Sequence, residues 1–521
     1  MKRKPVPLAW AVVTVLGIIV VILVVSWQLF PRLTSAQSLV DDLSPAFTVD
    51  RVLGTRGGIE VVKAATNTAD NMMPGNANAE LPKLVDLVAQ RTGKTHDEAA
   101  ALLQSDYTYI YSFLQSLPLT GVTDEIPKIV HYIGTVLYMT SDEVENMLKN
   151  DYPLIHQVIN AVPPLTNGWY SIPGTEKLTT FDGEPVRTMP QLATYFSDEL
   201  VAPVERQQAN FRPLGIRGGV GFLAPLLLAL GIIVILFGTT MVVLTWRGVP
   251  RNVTSKAWVV VSVVGVAIVG LVFGLNLFPR LIGGQHLLDD TRPMFSLDRI
   301  QGDRAGIEYI NHFVNALGPA VPPDGGLIEE YDKLLKQLAD SVGVPVADVR
   351  ALVELDFPHT AKLLDGTPFS AAAADSVRLV EYLASASNVS VDEMWKTVQT
   401  ELPHTYTLFK NIKIVTDSWY VVPGAEKLTR FDGQPASAVP VIRDYFRDDV
   451  IPGLERQQKG YVIVDSNWPP LFVFAPLLTA VGLFVVGYGF FLRSVTAKQL
   501  ARQDLAEHPP VAQADPGVLV P

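Results

Sequence analysis

The sequence predicts a mainly α-helical membrane protein with four spans and two duplicated, mostly helical extracytoplasmic domains that contain short hairpin-like loops. The first observation behind this prediction is that the sequence consists of two similar halves. Leu8 to about Thr245 reappears as Ala257 to Leu492, at an offset that rises from 248 to 250 residues. A fixed period of this kind constrains the architecture before any local pattern is considered.

The second observation is a set of four stretches without charged residues, which explain why 48% of the 521 residues are hydrophobic. Each is long enough to cross a hydrocarbon core roughly 30 Å thick as a helix. The first has a basic start like that of a signal peptide, but its apolar run exceeds a signal core and no small-residue cleavage site follows. We therefore expect four retained transmembrane helices, within residues 5–31, 218–246, 257–279 and 466–492.

Basic residues near the spans predict the orientation, because Lys and Arg in short loops mark the cytoplasmic side. Three clusters lie before the first span, between the second and third, and after the fourth: Lys2, Arg3 and Lys4, then Arg247, Arg251 and Lys256, then Arg493, Lys498 and Arg502. Both termini are therefore expected in the cytoplasm of a multi-pass plasma-membrane protein.

The predicted domain order follows from the spans and their orientation. It comprises a basic flank and first span (1–31), a first extracytoplasmic domain (32–217), a second span (218–246), a cytoplasmic link (247–256), a third span (257–279), a second extracytoplasmic domain (280–465), a fourth span (466–492) and a disordered cytoplasmic tail (493–521). Disorder of the tail is predicted from its composition, which is rich in Pro, Ala and Val with scattered acids.

Composition narrows the class of protein further. The formal net charge of −11 disfavours nucleic-acid binding. The absence of cysteine removes disulfides, thiolate metal sites and cysteine nucleophiles. Exported domains without disulfides fit a bacterial envelope better than a eukaryotic secretory route. Because the sequence also lacks a Walker loop, a nucleophile elbow and a zinc-type histidine pair, no cofactor is predicted.

A second period, of 45 residues, predicts the helices of each exported segment. Thr95 to Glu98 matches Thr140 to Glu143, and Ser390 to Glu393 repeats the pattern in the second half. Each is a capping-box signature, in which a hydroxyl and a carboxylate satisfy the first free amides of a helix. Two such units seldom bury enough surface alone. We therefore expect the two halves to pack together around a pseudo-two-fold axis perpendicular to the membrane.

The most specific string shared by the halves supplies the candidate contact residues. It runs from Trp169 to Pro185 and again from Trp419 to Pro435, and its Pro-Gly and Asp-Gly turns predict two short strands of a hairpin or extended loop. The candidate contacts for a ligand or partner are Trp169, Tyr170, Glu176, Lys177, Asp182, Trp419, Tyr420, Glu426, Lys427 and Asp432. The pattern favours an alternative, a structural corner with Trp and Tyr at headgroup depth.

A third shared feature is a pair of adjacent carboxylates, Asp41-Asp42 in the first half and Asp289-Asp290 in the second. The spacing lacks the alternate oxygens of an EF-hand, and arginines stand nearby, so ion pairs are expected instead of a metal. His359 and His404 match each other but have no converging partner motif, which places them on helix surfaces. No metal ligand and no catalytic residue is predicted.

The spans carry no charged residue, which disfavours a coupled transporter. Gly270 and Gly274 predict a close helix contact, as do Gly482, Gly487 and Gly489.

These observations favour a non-catalytic protein of the bacterial cell envelope, a scaffold or accessory subunit that recognises another membrane or envelope protein. The lipid bilayer is the partner that the spans require. One alternative is a protein that binds a lipid or another apolar ligand in a cleft between the duplicated ectodomains. Another is a membrane hydrolase that uses carboxylates such as Asp41, Asp42 or Asp182.

Overall fold

The computed structural model describes residues 5–73, 75–115, 119–211, 221–247, 256–321, 326–365, 369–465 and 469–507. This part of the chain is mainly helical and contains no β-strand. The helices of the first half are α1 (Pro5–Ser26), α2 (Leu29–Leu43), α3 (Val49–Asn71), α4 (Ala77–Thr92), α5 (His96–Asp106), α6 (Thr108–Leu114), α7 (Leu119–Leu137), α8 (Ser141–Asp151), α9 (Pro153–Gly168), α10 (Met189–Tyr195), α11 (Ala202–Phe211) and α12 (Leu223–Arg247).

The second half contains helices in the same order, so that each helix matches the one twelve places earlier. They are α13 (Ala257–Gly274), α14 (Leu277–Thr291), α15 (Leu297–Leu317), α16 (Gly326–Val342), α17 (Val346–Asp356), α18 (Pro358–Leu364), α19 (Phe369–Ala386), α20 (Val391–Glu401), α21 (Pro403–Ser418), α22 (Val439–Asp444), α23 (Ile451–Asp465) and α24 (Phe474–Glu507). A π-helical turn follows α10 at Phe196–Val201 and α22 at Tyr445–Val450.

Four helices are long and apolar enough to cross a membrane, at Leu8–Ser26, Leu223–Arg247, Ala257–Gly274 and Leu471–Lys498. The prediction of a mainly helical protein is therefore confirmed, and the four predicted spans coincide with four candidate membrane-spanning helices. The first and third helices end earlier than predicted, because Gln28 and Asn276 adopt left-handed conformations that start new helices, with φ of 48° and 50°.

The C-terminal boundary differs from the sequence-based prediction. Helix α24 continues to Glu507, so the first part of the predicted disordered tail is helical. The residues between 493 and 507 are mostly Ala, Leu, Gln, Arg, Lys and Glu, which favour helix. Residues 248–255 of the predicted link and 508–521 of the tail lie outside the described residues, as do Lys2, Arg3 and Lys4.

The described residues divide into two compact units, which we call the span unit (1–44, 207–292 and 456–521) and the interlocked unit (45–206 and 293–455). In the span unit, α1 packs along α12 and α13 along α24. Glycines bring these backbones together: a Cβ added at Gly17 would lie 2.9 Å from the Gly231 carbonyl oxygen, and one at Gly265 would lie 2.7 Å from that of Gly482.

The predicted contacts at Gly270, Gly274 and Gly487 were wrong, since a Cβ at any of these positions would meet nothing within 4 Å. The face of α13 that meets α24 carries Gly265. At about 100° per residue, Gly270 and Gly274 lie about 140° and 180° around the helix from that glycine. Gly482 and Gly489 do make close contacts, so the helix face and not the spacing alone decides which glycine is used.

In the interlocked unit, helices from the two halves alternate in space. Helix α3 packs on α21 of the other half, and the matching helix α15 packs on α9. One hydrophobic cluster combines Val122 and Ile155 of the first half with Leu334, Leu338 and Val353 of the second. The two long segments between the spans therefore share a core.

In the interlocked unit, carboxylates of one half cap helices of the other half. The first amides of a helix have no partner within it, and negative charge there is favourable because of the helix dipole. Glu80 of α4 is buried and accepts hydrogen bonds from the backbone nitrogens of His404 and Thr405, at 3.2 and 2.8 Å. These two residues form the first turn of α21, which has no side-chain cap of its own.

The other three caps follow the same scheme at positions related by the 45-residue and 250-residue periods. Glu330 accepts from Leu154 and Ile155, Glu125 accepts from His359 and Thr360, and Asp375 accepts from Tyr109, with N–O distances between 2.7 and 3.3 Å. Each carboxylate and the helix it caps come from different halves. The predicted capping boxes at Thr95, Thr140 and Ser390 are also formed, but they act within their own helices.

Replacement of Glu80 by Ala should lower the free energy of unfolding by about 2 kcal/mol, because one buried and one partly buried amide lose a charged acceptor. Chemical unfolding of the full-length protein in detergent, followed by tryptophan fluorescence, measures this change. Glu98→Ala is the control, since Glu98 caps an exposed turn within its own helix. Equal losses for the two variants would contradict the importance of the crossing caps.

Candidate functional site

Both copies of the shared Trp-Tyr string form hairpin-like loops, each closed by one antiparallel bridge. The bridges join Thr179 to Pro185 and Thr429 to Pro435. The predicted short strands are thus reduced to single bridges, because the intervening residues mostly bond within tight turns. Gly183 and Gly433 adopt positive φ at these turns, as the Asp-Gly dipeptides lead one to expect.

The two tryptophans of the string belong to the core. Trp169 and Trp419 are both buried. The indole nitrogen of Trp169 donates to Asp70 Oδ1 at 3.0 Å, and its ring packs against Phe313 of the other half. Their neighbours Tyr170 and Tyr420 reach the surface, and the Tyr420 hydroxyl donates to the Gly318 carbonyl oxygen at 3.1 Å.

The glutamates of the string stabilise its first turn. Glu176 accepts a hydrogen bond from the Gly174 nitrogen at 3.0 Å, and Glu426 accepts one from Gly424 at 3.1 Å. Hydrogen bonds from backbone nitrogens hold the pKa of both carboxyl groups below its usual value. Since these bonds stabilise the charged form, both side chains are acceptors committed to local structure.

The remaining charged residues of the string lie at the surface. Lys177 forms an exposed ion pair with Asp298 of the other half, at 3.1 Å. Asp182 and Lys427 are exposed, and Asp432 accepts from the Gln434 nitrogen at 3.0 Å. The ten candidate residues therefore do not converge on one site. Their role in contacting a ligand or partner stays a prediction.

Each loop docks on a helix of the other half. Arg51 of α3 donates to the carbonyl oxygens of Thr429 and Arg430, at 2.8 and 2.9 Å. The matching Arg299 of α15 donates to those of Thr179 and Thr180, at 3.1 and 2.7 Å. These contacts support the structural-corner interpretation, because each arginine joins its loop to a helix of the other half.

The paired carboxylates mainly accept hydrogen bonds from glutamine side chains. Asp42 accepts from Gln457 Nε2 at 2.6 Å, with Arg456 at 4.0 Å, and the matching Asp290 accepts from Gln207. Asp289 contacts Arg292 at 3.4 Å, an ion pair of the kind predicted. Within the described residues no three His, Cys, Asp or Glu side chains are placed to hold a metal ion.

One buried acid was missed by the sequence analysis. Asp303 of α15 is completely buried, and neither carboxyl oxygen has a hydrogen-bond partner of ordinary geometry in the part of the chain that the structure describes. Burial raises the pKa of Asp303 to about 7, although the nearby Tyr195 hydroxyl and the Arg299 guanidinium oppose the shift. A carboxyl group with such a pKa can exchange a proton near neutral pH.

The matching position in the first half holds Thr55, beside Tyr445 in place of Tyr195. The halves therefore differ at this site by one ionisable group. The sequence contained a signal: Ile300, Ile307 and Ile310 mark one apolar face of the helix, and Asp303 falls on that face. The π-helical turn that begins at Phe196, next to Tyr195, adds a feature that is frequent at functional sites.

Asp303→Asn should remove a pH-dependent loss of stability. The pKa of Asp303 is about 7 in the folded state, whereas the ordinary value for an aspartate is 3.8. Below about pH 4 the acid is protonated in both the folded and the unfolded state, so the folded protein keeps its full stability. As pH rises through 7, the free energy of unfolding falls by up to about 4 kcal/mol. Thermal unfolding in detergent between pH 4 and pH 8 should show the variant gaining on the wild type as pH rises.

The exposed Asp298→Asn, in the same helix, is the control and should show no such gain. A difference between Asp303→Asn and wild type that stays constant across this pH range would contradict the assignment of a raised pKa to Asp303.

Comparison with known proteins gives no assignment. A scan against protein-family models, a search of curated proteins and a search of solved structures each found no match. A functional hypothesis for this protein therefore depends on its own residues.

Proposed function

We propose that this protein is a non-catalytic scaffold or accessory subunit of a bacterial cell envelope, anchored in the plasma membrane with both termini in the cytoplasm. In this proposal a duplicated span, ectodomain and span unit gave rise to the two halves. The matched order of twelve helices supports the duplication. The basic clusters beside the spans support the orientation.

The observation that carries the proposal is the conformation of Tyr138. Four matching turns, after α4, α7, α16 and α19, each contain one residue with positive φ: Gly93, Tyr138, Gly343 and Asn388. Glycine and asparagine are the usual residues in this left-handed conformation, whereas a bulky side chain is strained there. The strain at Tyr138 is not offset by packing, because the side chain is 95% exposed.

Strained residues that persist at a surface are candidates for function. Tyr138 and Met139 lie beside the turn that follows α16, since the Ser341 hydroxyl donates to the Val136 carbonyl oxygen at 3.4 Å. That turn and the start of α17 expose Val342, Val344 and Val346. We call these five side chains the Tyr138 patch: Tyr138, Met139, Val342, Val344 and Val346.

The Tyr138 patch has the chemistry of a protein interface. An exposed tyrosine on a surface that also exposes a methionine and three valines resembles the aromatic anchors that contribute most of the binding energy in many complexes. The matching turns of the other pair carry Gly93-Lys94 and Asn388, so they lack an aromatic anchor. This difference supports recognition of a protein partner by one side of the interlocked unit.

Tyr138→Asn, which introduces the residue of the matching turn, should separate stability from partner binding. We expect unfolding to require about 1 kcal/mol more, because asparagine tolerates the left-handed conformation. Recovery of the partner should fall about tenfold, the effect of losing an anchor side chain. The measurement is quantitative mass spectrometry of proteins that co-purify with the tagged full-length protein from its native membrane.

Tyr109→Ser is the matched control, because Tyr109 is an exposed tyrosine outside both the Tyr138 patch and the shared Trp-Tyr string. Equal partner recovery by wild type and Tyr138→Asn would contradict the proposal, as would purification of the wild type alone as a stable monomer.

A second candidate function, binding of a lipid, is favoured by a cavity in the span unit.

A further inference from the structure

Two arginines at matching positions of the span unit have different surroundings. Each belongs to the repeated Leu-Phe-Pro-Arg-Leu sequence at the start of α2 or α14. Arg32 is buried and donates to the carbonyl oxygens of Pro469 and Val464, both at 3.0 Å. Its guanidinium also lies over the ring of Phe474, 5.7 Å from the centroid. Arg32 therefore stabilises the packing of the span unit.

Arg280 makes none of these contacts with the residues that the structure describes. Its Nη1 atom is buried but has no hydrogen-bond partner in the part of the chain that the structure describes. The position that matches Phe474 is occupied by Leu223, which offers no ring for a cation–π contact. A buried donor without an acceptor is costly, and a charged one more so. Arg280 therefore retains the capacity to bind an anion.

Arg280 also forms part of the wall of an apolar cavity between α2 and α14. The space it encloses is small, about 40 Å³, so the cavity is a shallow depression and not a closed pocket. The rest of its wall is largely aliphatic and includes Leu33, Ala36, Val40, Leu281 and Leu288. An acyl chain would therefore lie along this wall and not inside an enclosed pocket. A long apolar wall with one cation at its edge is complementary to an amphiphile with an anionic head.

The position of the cavity along the chain identifies the class of amphiphile. Span helix α13 ends at Gly274, and Arg280 lies in the first turn of the helix that follows. Residues so close to the end of a span lie at the depth of the lipid headgroups, where arginine side chains contact phosphates. The guanidinium fork matches two phosphate oxygens.

We propose that this cavity binds one anionic phospholipid, with its phosphate on the guanidinium of Arg280 and an acyl chain along the aliphatic wall. The site differs from a cleft between ectodomains, because its wall lies within the span unit. It is also independent of the Tyr138 patch, so Tyr138→Asn should leave lipid binding unchanged.

Native mass spectrometry of the delipidated full-length protein tests the proposal. The protein is offered equal amounts of phosphatidylglycerol and phosphatidylcholine with identical acyl chains. The wild type should retain phosphatidylglycerol about tenfold better, the effect expected of one charge-assisted hydrogen-bonded contact. Arg280→Gln should abolish this preference, and Arg280→Lys should keep most of it, because a cation remains.

Two further variants separate the charge from the cavity. Arg292→Gln removes a nearby cation of the span unit that already pairs with Asp465, and it should keep the preference. Ala36→Leu narrows the cavity and should reduce retention of both lipids. If Ala36→Leu fails to fold, a short-chain phosphatidylglycerol takes its place and should bind the wild type more weakly than the long-chain lipid does.

Three results would overturn the proposal. The first is a wild type without preference between the two lipids. The second is an unchanged preference in Arg280→Gln. The third is competition by inorganic phosphate that equals competition by phosphatidylglycerol, because that result would show an anion site without a place for an acyl chain.

Discussion

The interlocked unit depends on carboxylates that satisfy the first amides of helices from the other half of the chain. Glu80, Glu125, Glu330 and Asp375 each supply the acceptor that a helix start lacks. An unsatisfied buried amide is costly, so neither segment can complete its helices alone without exposing these amides to water. The shared hydrophobic core and the loops held by Arg51 and Arg299 add to the same dependence.

Because the two halves correspond residue by residue, the positions where they differ are candidates for function. Asp303 stands where the first half has Thr55, and Tyr138 where the second half has Asn388. Within the described residues, Arg280 Nη1 has no acceptor, whereas Arg32 donates to two carbonyl oxygens. Two of these differences introduce an ionisable or an aromatic side chain, and the third gives the same arginine different surroundings. These three departures are therefore the places where we propose proton exchange, partner recognition and lipid binding.

Much of the fold could be predicted from the sequence, because spans, capping boxes and repeats are local or periodic signals. The capping boxes at Thr95, Thr140 and Ser390 were predicted and are formed. The crossing caps could not be predicted, since Glu80 and His404 lie far apart in sequence and only the packing brings them together. The candidate site was also limited, because a string shared by both halves cannot distinguish a structural corner from a binding loop.

Expression of the two halves as separate chains, divided in the connection between α12 and α13, tests the central claim most directly. We predict that each half alone is digested by trypsin, whereas co-expressed halves purify together in equal amounts and resist digestion. The reason is that each half supplies the carboxylates, and part of the core, that the other requires. Two halves that fold separately, resist trypsin and do not associate would contradict the account.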